Sequence, residues 1–255
     1  MPFGRRAACA PSPFRHRGRL LLLAGLLCSL PLTGTAHGAF RLIGLTIEDA
    51  AAREVVERYT LARQLQPVRF HGTLRTTEWL LDRPPLATTL ARHLHPPLER
   101  YHVTDRGASA YTVDDEGALR GEFRLVARGL DRRVYFVEGQ FRSLAQLLKL
   151  SGNMVFTLEY RELKIQSDSY VEVTPQLFLR LNNVAAHAIL KVLAPLLHGI
   201  IDRRVANLAE AAQVVGQRVS KDPSALYREM RTWPDVRPEE AEAFRLAFSA
   251  GDATP

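Results

Sequence analysis

Two histidines one residue apart, His93 and His95, are the first feature of this 255-residue chain that suggests chemistry. A histidine pair can hold a transition metal when both imidazoles reach one ion. Positions two apart on a helix point away from each other, so this pair is not a ready ligand set. His102, Asp105, Glu122 and Tyr160 have side chains that can move protons. Nothing in their spacing brings them together. Asp114-Asp115-Glu116 has the oxygen donors for calcium but lacks the loop pattern of a calcium-binding hand, and reads as a solvated hairpin turn. Arg132-Arg133 and Arg203-Arg204 carry the charge to touch anionic headgroups, and by default belong to solvated faces. Asp202 can pair locally with the second of these. There is no Gly-x-Ser-x-Gly elbow and no phosphate-cradling glycine loop. The sequence therefore assigns no catalytic residue, no metal site and no cofactor.

Cysteine chemistry is confined to the start of the chain. Cys9 and Cys28 are the only two cysteines, and both fall in a segment that reads as an export signal. Arg5, Arg6, Arg15, Arg17 and Arg19 come with no acid, and an apolar run over residues 20–32 follows, then Thr33, Gly34, Thr35 and Ala36. A basic start, a short apolar stretch and a small-residue exit define a secretory signal. The run is shorter than the ~20 apolar residues of a bilayer-spanning helix, although an uncleaved anchor is the alternative. Cleavage after Ala36 or after Gly38 fits the small residues. Removing the five arginines lowers the formal net charge from +7 to +2, which takes away the main support for a nucleic-acid partner. The mature chain is expected in the periplasm or outside the cell, free of cysteine.

The elements that must position any site follow in order. Residues 47–65 read as a helix capped by Thr46 and stopped by Pro67. Residues 68–75 alternate apolar and polar, the pattern of a half-buried strand. Pro84-Pro85 opens a short helix to about Leu94, with Asp82 as its cap. From Tyr101 to Pro175 the period is mostly two, with turns at Arg106-Gly107, at 114–117 and at 129–132. Close turns favour an antiparallel meander. A short helix is read over 143–150. A long helix follows over 184–220, with Pro195 and Gly199 expected to kink or divide it. A further helix is read at 224–232 and another beyond Pro234.

This order, and the stretch "AHAILKVLAPLLHGIIDRRVANLAEAAQVV", resembles the START-like superfamily (SRPBCC), which includes polyketide cyclase/dehydrase-type and lipid-transfer proteins. The resemblance covers about residues 68–220. It implies an α+β helix-grip fold: a curved antiparallel sheet of about seven strands wrapped on a long C-terminal helix, here with an extra N-terminal helix. The expected organisation is a signal over 1–38, a helical extension over 39–67, the helix-grip domain over 68–220 and a helical tail over 221–255. Such a fold tends to retain a hollow between sheet and helix. Phe123, Tyr135, Phe156 and Tyr160 on strands, with Ile189, Leu193 and Leu196 on the helix, are the expected lining. The implied partner is a hydrophobic small molecule or lipid, with transient membrane contact compatible with it. The rival readings are a cyclase- or hydrolase-type enzyme on the same fold and a structural or interaction protein with a filled core.

Overall fold

A computed structural model of the protein describes residues 46–116, 119–143, 148–182 and 185–248. Its frame is a meander of hairpins. Strands β1 (Leu61–Gln64), β2 (Val68–His71), β3 (Tyr101–Gly107), β4 (Ala110–Asp115), β5 (Leu119–Arg128), β6 (Arg132–Ser143), β7 (Leu148–Ile165) and β8 (Asp168–Leu181) form one antiparallel sheet. Its order is β1-β8-β7-β6-β5-β4-β3, with β2 also on β8. The first strands thus join the last, and the consecutive hairpins fill the space between. The described residues also form six α-helices: α1 (Ala50–Glu57), α2 (Leu74–Leu81), α3 (Pro84–Leu94), α4 (Ala185–Lys221), α5 (Pro223–Met230) and α6 (Pro238–Phe248). No helix among the described residues is long and apolar enough to cross a membrane.

Several boundaries differ from the sequence expectation, each for a local reason. The helix expected over 47–65 is only α1. Asp49, not Thr46, caps it by accepting from the Ala52 N–H at 2.9 Å. Leu61–Gln64 leaves the helix to pair with β8. The strand expected over 68–75 stops at His71. Gly72 has φ +152°, and the Thr73 hydroxyl accepts from the Thr76 N–H, so Leu74 and Arg75 open α2 instead. Asp82 does not cap α3, whose first turn is made by Pro84 without a side-chain cap. The first hairpin turns at Ala108 and Ser109, both with positive φ, two residues beyond the expected Arg106-Gly107. The helix read over 143–150 is replaced at its ends by strand, since Ser143 pairs with Leu148; residues 144–147 lie outside those described. Pro195 and Gly199 do not divide α4, which runs 37 residues and spans about 55 Å.

Pro175 inside β8 is explained by its neighbours. It lies between the stretch paired with β1 and the stretch paired with β2, where that side of β8 has no continuous ladder. A strand tolerates proline where its N–H has no partner to serve. On the same strand Glu172 is buried and takes Arg69 of β2 and Arg161 of β7 from either side, which ties three strands together.

The long helix meets the sheet at defined points. Arg63 of β1 pairs with Asp202 at 2.7 Å, and Arg204 pairs with Asp115 of β4. β1 and β4 belong to opposite margins of the sheet, so two ion pairs hold one turn of α4 between them. Asp202-Arg203-Arg204 was expected to pair within the helix; two of the three pair outward instead. Further along, Gly216 lies against β2, where a Cβ would come 2.1 Å from the His71 carbonyl oxygen. Beyond it Val215 and Val219 join Leu86, Leu90, Leu226, Met230 and Phe244 in a helical core built by α3, α4, α5 and α6.

Candidate functional site

Strand register decides which side chains share a face. Phe123 is opposite Val137, Val137 opposite Met154 and Met154 opposite Leu179; Tyr135, Phe156 and Leu177 form the adjacent row. Tyr111 joins them across from Phe123. Arg63 and Asp115, the residues that hold α4, are on this same face by register, which makes it the concave one. The rings touch: Tyr111 stacks on Phe123 with centroids 5.1 Å apart, and Phe123 meets Tyr135 edge-on at 6.0 Å. Alternation on β5, β6 and β7 therefore builds a continuous aromatic and aliphatic wall.

That wall is only partly covered. Phe123, Val137, Met154, Phe156 and Leu179 are half-buried although they occupy the middle strands. The opposite face is closed. There Val134, Phe136, Val155 and Phe178 are at most 1% exposed. α1 packs here on β7 and β8, fixed by Arg124 to Asp49, by Arg180 to Glu54 and by Tyr59 against the Phe178 ring, and the Arg124 guanidinium lies over the Phe136 ring.

A polar cluster ends the wall beside the β5–β6 turn. Arg133 is fully buried and donates to the Tyr160 hydroxyl at 2.6 Å and to Asp82 at 3.2 Å. Tyr160 in turn donates to Glu78 at 3.1 Å, and Arg128 pairs with Asp82 at 3.0 Å. An unpaired buried charge is costly, and this geometry removes that cost by giving Arg133 two carboxylates from α2 and its end. Burial pushes the Tyr160 hydroxyl up to about 12, against the opposing pull of Arg133. Burial likewise raises Tyr135 and Tyr111, and Asp82 adds to both. All three tyrosines are protonated at neutral pH. Tyr160 uses its hydroxyl within the protein, whereas those of Tyr111 and Tyr135 point to no hydrogen-bond partner among the described residues.

The residues singled out from sequence divide accordingly. Phe123, Tyr135 and Phe156 stand together on the concave wall. Tyr160 is at its end, bound into the cluster. Ile189, Leu193 and Leu196 belong to α4, and their side chains fall outside the described residues. Of the four proton-transfer candidates, Asp105 and Tyr160 are on the concave face, while register turns His102 and Glu122 to the other. They do not form one site. His93 stacks on Trp233 with centroids 4.0 Å apart and bonds Asp235 at 2.7 Å; His95 is buried and turns towards Glu210. The described residues contain no group of three or more His, Cys, Asp or Glu able to hold a metal ion. Asp115, read as part of a solvated turn, is instead paired with Arg204, and burial pushes its carboxyl up more than that arginine lowers it. Arg132 and Arg133, read as a solvated face, are 9% and 0% exposed. Sequence reasoning missed Tyr111, Glu78 and Asp82. Tyr111 carried a signal, the alternation of Tyr111 and Val113 on β4; the two acids carried none, since their partners are some fifty to eighty residues away.

Three glycines lie side by side across the sheet, Gly121, Gly139 and Gly152, on the concave face. A Cβ on Gly121 would come 2.4 Å from the Glu138 carbonyl oxygen, and one on Gly152 2.5 Å from that of Arg180. The neighbouring backbone occupies the space a side chain would need, so the sheet bends here. Around this bend is an open groove of about 550 Å³, lined by the glycines and by polar residues such as Glu122, Glu138 and Asn153. Those polar side chains belong to the face opposite Phe123 and Tyr135, so this groove is distinct from the aromatic wall.

A curved antiparallel sheet whose first strands pair with its last, gripping a long C-terminal helix, is a helix-grip fold. Among solved structures the chain is similar to a conserved protein from Geobacillus kaustophilus, at 11% identity and TM-score 0.41, over 62% of this chain and 95% of that one. It is similar to the Zhui aromatase/cyclase from Streptomyces sp. R1128, at 12% identity and TM-score 0.37, over 64% and 99%. It is also similar to norcoclaurine synthase from Thalictrum flavum, at 14% identity and TM-score 0.38, over 64% and 95%. No protein-family profile and no curated protein matches the chain. The helix-grip assignment stands on this chain's own strand order and gripped helix.

Proposed function

We propose that the protein is a non-covalent binder and carrier of a hydrophobic, lipid-like ligand, taken up on the concave face. One observation carries this reading: Phe123, Met154 and Phe156 stay half-buried in the middle of the sheet while the opposite face is closed. Ligand sites are concave and mostly apolar, with a few polar anchors, which is the composition of this wall and its tyrosine-rich end. Binding exchanges water for apolar contact. The basic and apolar pattern of residues 1–38 supports export of the carrier to the periplasm or beyond, where a lipid crossing water needs shielding; amino-terminal sequencing of exported protein tests this, with a start near His37 or Ala39 expected.

A thermal-shift panel of a long-chain alcohol, a fatty acid and a phospholipid tests the binding itself. At about 100 times Kd a ligand stabilises by roughly 2.7 kcal/mol. At least one member is expected to raise Tm, and Phe156→Asp, shown folded by circular dichroism, to abolish the rise. Silence across the panel favours the interaction protein with a filled core. The buried Tyr160 between Arg133 and Glu78 supports a second reading, an enzyme on the same fold. Turnover of a panel ligand, lost in Tyr160→Phe, would establish that reading over the carrier.

A further inference from the structure

Building on the binding reading above, we infer that the ligand's polar group is uncharged, a hydroxyl or carbonyl, and that the Tyr111 and Tyr135 hydroxyls receive it. The inference rests on what the polar end of the wall offers. Among the described residues its cations are already committed: Arg133 to Tyr160, Asp82 and Glu78, and Arg128 to Asp82. Arg63, on the same face, is held by Asp202. The two arginines of the cluster are matched by two carboxylates, so it presents no net charge to an ion. Asp105, opposite Tyr111 in register, adds a negative charge that opposes an anionic head.

Among the described residues at this end, what remains to serve a ligand is a pair of neutral hydroxyls. Tyr111 and Tyr135 are 9% and 7% exposed, flank Phe123, and make no hydrogen bond among the described residues. Each can donate to a carbonyl or alcohol oxygen and accept from an alcohol hydrogen. Burial keeps both protonated well beyond neutral pH. A carboxylate placed there would leave water without gaining a cation, a cost that a neutral head avoids. The apolar tail lies along Phe123, Phe156 and Met154.

The test is a chain-matched pair, tetradecanol and tetradecanoate, titrated at pH 7.5 by calorimetry into the wild-type chain and into Tyr111→Phe, Tyr135→Phe and the double variant. The alcohol is expected to bind about tenfold more tightly than the acid. The double variant is expected to bring the two within about threefold while tail-driven binding persists. The phenylalanines keep the rings, and a urea midpoint for each variant confirms its fold. Equal or tighter binding of the acid by the wild-type chain overturns the inference and leaves the carrier reading intact. An alcohol preference that survives in the double variant also overturns it. Binding of neither amphiphile overturns both.

Discussion

The two faces of the central strands are built from the same residue types and end in different states. On one, Val155 and Phe178 are buried beside a short amphipathic helix, and Phe136 beneath Arg124, which that helix's cap Asp49 holds. On the other, Phe123, Phe156 and Met154 stay only half-buried, although the helix on that side is more than four times as long. Length is not what closes a face. α1 lies along its strands with ion pairs to Arg124 and Arg180, whereas α4, among the described residues, is held at one turn by Arg63 and Asp115 and lies against β2 at Gly216. The outer face holds the fold together, and the concave face is where packing has been left incomplete.

Truncations should separate the two most strongly. Phe136→Ala is expected to cost about 3–5 kcal/mol in urea denaturation, the price of emptying a sealed site. Phe156→Ala should cost about 1–2 kcal/mol, because that ring is only partly withdrawn from water. Equal losses would make the concave face ordinary core and break the contrast.

The contact of α4 with the sheet gives a second comparison. Gly216→Ala pushes a methyl into the backbone of His71 and should destabilise by about 1–3 kcal/mol. A Cβ at Gly199 meets nothing within 4 Å. Gly199→Ala should therefore be neutral or stabilise by up to about 1 kcal/mol through helix propensity. A loss at Gly199 comparable to that at Gly216 would mean that the helix is held along its whole length.

The smallest effect concerns the closure of the outer face. Burial raises the Asp49 carboxyl, but the Ala52 N–H and Arg124 outweigh it and leave it below its ordinary 3.8. A carboxyl depressed in the folded state stabilises fully above its unfolded value and loses that contribution as pH falls through the folded one. Asp49→Ala should cost about 1 kcal/mol at pH 6 and less at pH 3, as read from urea midpoints. Other depressed carboxylates, Asp235 among them, act in both proteins, so the difference between variant and wild type isolates Asp49. A cost that does not shrink at pH 3 would assign Asp49 no electrostatic part in holding α1.

Alternation made the wall legible: Phe123, Tyr135 and Phe156 were identified from a period of two, and hairpin order implied the sheet. Edges were harder. Leu61–Gln64 has helical composition but becomes strand because β8 has an open side to pair with, a tertiary reason invisible within the segment. Val68–Arg75 kept its alternation through Gly72, so the Thr73 cap and α2 were overridden in the reading by the pattern around them. The cluster at Arg133 was hidden for a different reason. A doublet of arginines reads as solvated until Glu78 and Asp82 arrive from far away in the chain.

The row of glycines has a consequence for how this shape is inherited. Curvature here is encoded by missing atoms at positions far apart in the chain, and the positions are unequal. Gly121 and Gly152 admit no Cβ, while one on Gly139 would sit 3.4 Å from its nearest neighbour, the Arg120 carbonyl oxygen. A lineage can drift at Gly139 and keep its bend. Replacement of Gly121 or Gly152 must flatten the sheet locally and change the arch above which any tail would lie. Divergence among descendants should therefore reshape the concave face abruptly, through one of two codons, rather than by gradual change along the wall.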